Sequence, residues 1–152
     1  MFEILGIDEI KSFGKKQLFR VGYIPKRYLK QFGYGFVYLI VSNKKAKIGI
    51  SSDIESRIKA ISRNLVDDNI NKILISTLCS NCSEIEKSFK CNFSNNKISG
   101  EWFSLEWLSD YISFLKNQEY ESNFITQEDY ALKEKNNHEE MGNLLKNLLG
   151  IK

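Results

Sequence analysis

Gly35-Phe36-Val37-Tyr38-Leu39-Ile40-Val41, continued after Ser42-Asn43-Lys44-Lys45-Ala46 by Lys47-Ile48-Gly49-Ile50, decides how this chain folds. The first run is β-branched and aromatic with apolar residues at both parities, so it reads as a strand buried on both faces. Polar turn material follows, and residues 47–50 resume strand character, which predicts a β-hairpin. Outward from it, Ser52-Asp53-Ile54-Glu55 has the S-x-x-E form of a capping box and predicts a helix to about residue 64. Ile54, Ile58 and Ile61 would then lie on one face. Residues 72–79 read as the next strand. Ser83-Glu84-Ile85-Glu86 is a second capping-box pattern, opening a helix through about residue 93 with Ile85, Phe89 and Phe93 inward. Gly100-Glu101-Trp102-Phe103-Ser104-Leu105 reads as a turn and a short aromatic strand or bend. Residues 106–117 and 127–149 read as helices, the latter stopped by Gly150. The order β-β-α-β-α-(β)-α predicts an α+β fold.

Length and composition bound the rest. A chain of 152 residues, 42% hydrophobic and 27% charged, is an ordinary folded domain, and wholesale disorder is excluded. No apolar run approaches the roughly 18 residues of a membrane span. Met1-Phe2-Glu3-Ile4-Leu5-Gly6-Ile7-Asp8-Glu9 carries acids where a signal peptide needs bases, and three cysteines fit a reducing cytoplasm better than a disulfide framework. The net charge of +3 is unevenly spread: +4 over residues 1–34, +2 over 35–108 and −3 over 109–152. That gradient suggests a front that faces a polyanion and a solvated tail. Pro25, with Gly22, Gly33 and Gly35 around it, marks a join between a basic N-terminal extension (1–34) and a main body (35–108). A C-terminal helical segment (109–152) follows.

Several familiar chemistries lack their parts. Cys79 and Cys82 form a C-x-x-C with Cys91 beyond, but the second ligand pair of a structural zinc site is missing. The single histidine, His138, sits in a charged stretch that reads as a solvated helix face, so no Ser–His or Cys–His pair is evident. Gly33-Tyr34-Gly35 precedes a strand instead of opening a helix, which excludes a phosphate loop.

Five short motifs remain in the main body: Gly35-Phe36-Val37-Tyr38-Leu39-Ile40, Lys47-Ile48-Gly49-Ile50-Ser51, Arg57, Glu86-x-x-Phe89-Lys90-x-x-Phe93 and Gly100-Glu101-Trp102-Phe103. In this order the chain resembles the GIY-YIG nuclease superfamily, and within it the phage-type branch of T5orf172 and meiotically up-regulated (MUG113-like) domains, over about residues 35–107. The resemblance implies a small three-stranded antiparallel sheet flanked by helices, and phosphodiester hydrolysis assisted by one divalent cation, Mg²⁺ or Mn²⁺. By motif, Tyr38 would be the catalytic tyrosine, a poor unassisted base at an ordinary pKa near 10. Arg57 would hold the scissile phosphate, since guanidinium stays ionised and binds two oxygens together. Glu86 would be the metal carboxylate, chemically sufficient because Mg²⁺ keeps several waters. Lys47 stands where the wider pattern has a second tyrosine. It is a candidate second cation on the phosphate or a proton carrier, provided Val41 pairs with Ala46, which puts Lys47 opposite Ile40 and on Tyr38's face.

Plainer readings stand beside these. Tyr38 reads equally as a core aromatic with a satisfied hydroxyl. Glu86 lies three residues after Ser83, where a capping box wants it, and a carboxylate bound to its own helix is not free for metal. Glu101 reads as part of a structural turn and is the next acid to consider should Glu86 fail. Gly49 reads as a site of close backbone approach. Residues 15–30 interleave bases with aromatics, so Lys15, Lys16, Arg20, Lys26, Arg27 and Lys30, with Arg63 on the first helix of the main body, are candidate DNA contacts. The same segment reads as a strand or helix that packs Phe19, Tyr23 and Leu29 on the body. Met141, Leu144, Leu145, Leu148 and Leu149 recur at helical spacing, as in a packing or homodimer stripe. The expectation is a metal-dependent DNA endonuclease, nicking or homing-like, from a phage or mobile element. Its alternative is an inactive nucleic-acid-binding or protein-interaction module on the same fold.

Overall fold

The computed structural model describes residues 2–20, 26–124 and 127–150. Among them the strands are β1 (Phe2–Leu5), β2 (Phe36–Ser42), β3 (Ala46–Ser51), β4 (Ile70–Ser76), β5 (Lys97–Ser99) and β6 (Trp102–Phe103). The α-helices are α1 (Ile10–Arg20), α2 (Lys26–Gln31), α3 (Ile54–Asn64), α4 (Cys82–Asn92), α5 (Leu108–Lys116) and α6 (Gln127–Leu149). The fold is α+β as expected. The sheet, however, is six-stranded and antiparallel, in the order β1-β4-β2-β3-β6-β5, not three-stranded.

The three additional strands are short, and each is made by pairing instead of by its own pattern. β1 covers the outer edge of β4, with Phe2 opposite Ser76 and Leu5 opposite Ile73. Four residues, of which only Leu5 is buried, leave no readable period. β5 and β6 form a minimal hairpin whose turn contains Gly100 at φ +56°, a conformation that side chains with a Cβ rarely adopt. β6 adds just Trp102 and Phe103 to the edge of β3.

β2 is the central strand and every one of its residues is buried. Its two parities feed two cores. Phe36, Tyr38 and Ile40 join Ile73 and Ile75 beneath Ile10 and Phe13 of α1 and Ile54, Ile58 and Ile61 of α3. Val37, Leu39 and Val41 join Ala46, Ile48 and Leu74 beneath Ile85 and Phe89 of α4 and Tyr111 and Leu115 of α5. A strand covered on both faces has to be apolar throughout, which is why β2 shows no alternation.

The N-terminal segment packs as expected at Leu29 but not at Phe19. Ile10, Phe13 and Leu29 are buried, whereas Phe19 is 67% exposed; Tyr23 lies outside the described residues. Helix starts are also displaced from the sequence reading. α3 is capped by Asp53, one residue after Ser52: its carboxylate accepts the Ser56 N–H at 3.4 Å and the Ser56 hydroxyl at 3.2 Å. α4 begins after Asn81, whose side-chain amide donates to the Glu119 carbonyl at 2.8 Å and whose carbonyl accepts the Glu121 N–H at 3.0 Å. α6 spans the expected residues and is followed by Gly150 at φ +68°. Its Met141, Leu144, Leu145, Leu148 and Leu149 are exposed. Among the described residues no helix is long and apolar enough to cross a membrane.

Candidate active site

The hairpin turn sets the geometry. The Ser42 hydroxyl donates to the Lys45 carbonyl at 3.0 Å and accepts the N–H groups of Lys44 and Lys45 at 3.2 and 3.0 Å. This closes the loop so that Val41 faces Ala46, Ile40 faces Lys47 and Tyr38 faces Gly49. Side chains alternate along a strand, so Lys47, Gly49 and Ser51 all lie on Tyr38's face. The register thus meets the condition that puts Lys47 opposite Ile40 and on Tyr38's face. β6 pairs with β3 only at Ala46 and Lys47, so among the described residues no strand pairs with the edge of β3 away from β2 from Ile48 to Ser51.

Tyr38 is 2% exposed and its ring lies directly over Gly49. A Cβ at position 49 would overlap the hydroxyl and the ring carbon that bears it, and would stand 2.9 Å from a neighbouring ring carbon. Gly49 is thus a close-approach glycine: the missing side chain makes room for the phenol over β3. Burial pushes the Tyr38 phenol up to about 12; the Arg57 charge opposes this, and the Glu101 and Glu86 carboxylates reinforce it. One buried hydroxyl is therefore in electrostatic reach of α3, α4 and the β5–β6 turn.

This shift has a thermodynamic consequence. A phenol that ionises near 10 in the unfolded chain but near 12 in the folded one holds its proton longer in the native state, so stability is lost as pH rises from 10 to 12. Tyr38→Phe should remove that loss. The wild-type-minus-variant difference in unfolding free energy is expected to fall by on the order of 2 kcal/mol between pH 9 and pH 12, read by urea denaturation. An unchanged difference would mean that the phenol is not buried as described.

Arg57 lies on the exposed side of α3 and lines a cavity of about 550 Å³ with Lys30, Gly33, Tyr34, Ser51 and Cys82. The opposite end of the site is ionic. Lys47 Nζ is 2.9 Å from one oxygen of Glu101, Lys90 Nζ is 3.1 Å from the other, and Lys90 Nζ also lies 3.5 Å from Glu86. Burial works against the Glu101 charge, but the hydrogen bonds and charges of Lys47 and Lys90 win, holding its carboxyl below the usual range. Burial likewise opposes the Lys90 charge and is outweighed by Glu101 and Glu86, which raise it. Trp102 lies beneath Lys45 and Lys47, its ring centre 4.4 Å from Lys45 Nζ and 5.5 Å from Lys47 Nζ.

Glu86 is half-buried and is not a capping residue. α4 starts at Cys82, so Glu84, not Glu86, occupies the third helical position, and Glu86 pairs with Lys90 one turn on. The carboxylate is a hard oxygen donor and suits a divalent cation that takes one or two acids and fills its remaining positions with water or phosphate oxygens. Among the described residues no group of three or more His, Cys, Asp or Glu is placed to hold a metal; Cys79 and Cys82 are buried and Cys91 is exposed.

Of the expected DNA contacts, Lys30 shares the cavity with Arg57. Lys15 and Lys16 are exposed on α1 and border a separate surface hollow with Leu18 and Phe19. Arg27 lies against the Tyr28 ring, 4.6 Å from its centre, and Arg63 is exposed at the end of α3. The side chains of Arg20 and Lys26 lie outside the described residues. The site also contains Lys90, to which the sequence reading gave no role, and Glu101, which it held as the next acid after Glu86. Lys90 had a local signal, since Glu86 and Lys90 are spaced i,i+4. The pairing of Glu101 with Lys47 had no local signal, because the two lie 54 residues apart.

The family model described as T5orf172 domain matches residues 35–117, from the residue before β2 to the one after α5. No curated protein and no solved structure matches the chain.

Proposed function

Because this chain belongs to the T5orf172 domain family, a GIY-YIG-related, nuclease-like family, we propose that it is a divalent-metal-dependent endonuclease that hydrolyses DNA phosphodiester bonds. The observation that carries the reading is the Tyr38 hydroxyl, which lies over Gly49 within electrostatic reach of Arg57 and Glu86.

Arg57, exposed beside its cavity, binds two oxygens of the scissile phosphate and offsets the charge that grows in the transition state. Tyr38 keeps its proton throughout the neutral range, so it acts there as a hydrogen-bond donor that orients the attacking water or the phosphate, and not as a standing phenolate base. Glu86 holds the cation, Mg²⁺ or Mn²⁺, which when bound supplies Lewis-acid stabilisation and activates water. Lys47, held on Tyr38's face by the register, adds positive charge for the phosphate. Lys30 lies in the same cavity as Arg57 and extends the contact to a flanking phosphate.

Incubation with supercoiled plasmid and Mg²⁺ or Mn²⁺ tests this. Cleavage is expected, abolished by EDTA and reduced at least a hundredfold in Tyr38→Phe and Glu86→Ala, a loss on the scale of one transition-state contact. Salt-sensitive DNA retention with no cleavage on any substrate or metal would overturn the enzyme and leave a binding module on the same fold.

A further inference from the structure

Glu86 and Glu101 come from different elements, α4 and the β5–β6 turn, and converge on one ammonium. Lys90 Nζ is 3.5 Å from the first and 3.1 Å from the second. Two carboxylates brought this close repel unless a cation lies between them. The i,i+4 pairing of Glu86 with Lys90 by itself is worth only a few tenths of a kcal/mol. The long-range contact with Glu101 is what holds the ammonium between the two acids. Glu101 is itself oriented from its other oxygen by Lys47 at 2.9 Å. Lys90 is 36% exposed at its side chain, so its flexible stem has solvent to swing into without disturbing the core.

We propose that Lys90 is the resident cation of the Glu86–Glu101 carboxylate pair, displaced when a divalent ion binds, and that it thereby sets the metal affinity of the site with Glu101 as the second carboxylate. This rests on the metal role given above to Glu86. Lys90 is a positioning residue here: it holds the two acids in place while no metal is bound. A divalent cation replaces one positive charge by two at the same pair of acids, so the competition is between an ammonium on a tether and an ion free in solution. Removing the tethered charge should favour the ion.

The test is Mn²⁺ binding to the full chain, followed by the electron paramagnetic resonance of free Mn²⁺, a readout independent of cleavage. Lys90→Met keeps the length of the stem and removes the charge; it should bind Mn²⁺ more tightly by on the order of tenfold. Lys90→Arg, which retains the charge, should stay near wild type, Glu101→Gln should bind more weakly, and Glu86→Gln should lose binding. Thermal melts of each variant confirm that it is folded. Mn²⁺ affinity in Lys90→Met equal to or weaker than wild type would overturn the proposal while leaving Glu86 as a metal ligand. Equal tightening in Lys90→Arg would overturn it as well, since charge would not be the cause. Failure of both wild type and Lys90→Met to bind Mn²⁺ would remove this proposal together with the metal role of Glu86.

Discussion

Replacing Gly49 by alanine is expected to destabilise the protein by on the order of 3 kcal/mol, a large share of the roughly 5–15 kcal/mol that holds a domain folded. The backbone is not the reason, since Gly49 is not among the glycines with positive φ and alanine accepts its conformation. The cost is contact. A single methyl group at this position would overlap the Tyr38 ring, and that ring is buried with Ile75 of β4 paired on the other side of its strand. Neither β2 nor β3 can move aside without breaking a ladder in which Tyr38 pairs with both Gly49 and Ile75. The displaced phenol would also leave its place beside Arg57 and Glu86, so any cleavage activity should fall along with stability. Urea denaturation checks the first effect. A double-mutant cycle with Tyr38→Val isolates its cause, because with the ring removed the alanine should cost far less. An additive cycle would mean that the Tyr38 ring does not lie over Gly49.

Arg57→Ala separates function from folding. Arg57 is exposed on α3, and the buried face of that helix is carried by Ile54, Ile58 and Ile61, so unfolding free energy should change by no more than about 0.5 kcal/mol. Metal-dependent cleavage should nevertheless drop by roughly a hundred- to a thousandfold, the effect of removing one preorganised donor from a developing charge. Arg57→Lys should recover only part of this, because an ammonium cannot hold two phosphate oxygens in a fixed fork. The salt dependence of DNA binding should also shallow by about one unit of slope if Arg57 contacts one phosphate. Full cleavage by a folded Arg57→Ala protein would exclude the cavity of Arg57 as the reacting end of the site.

Both predictions turn on residues that the linear sequence places well, and the reason is physical. Tyr38, Lys47 and Gly49 belong to one hairpin, where a short turn sets the register and the two-residue period does the rest. Arg57 follows on a helix whose apolar spacing of four and three is complete within eight residues, Ile54 to Ile61. Asp53 shows where such local reading begins to slip: a capping pattern can be satisfied from either of two neighbouring residues, and the choice fell on the one whose carboxylate reaches Ser56.

The slip is larger at α4. The residues around Ser83 and Glu86 carry a complete capping-box signal, but Asn81 takes the cap position while its side chain holds the backbone of Glu119 and Glu121, nearly forty residues away. That long-range demand frees Glu86 from its own helix terminus. The additional strands follow the same logic. Phe2–Leu5 becomes a strand because the edge of β4 needs a partner, and Lys97–Ser99 and Trp102–Phe103 because the end of β3 does.

The sequence by itself determined the α+β class, the central hairpin and the inward stripe of α3, and it reduced the face of Lys47 to one condition on the register, which the structure meets. Each is specified by side-chain periodicity and turn chemistry within a few residues. Tertiary structure alone decided the six-strand sheet, the release of Glu86 from capping, and the ionic chain from Lys47 through Glu101 and Lys90 to Glu86. Those depend on which distant groups meet once the chain has closed, and no local pattern encodes a partner 54 residues away.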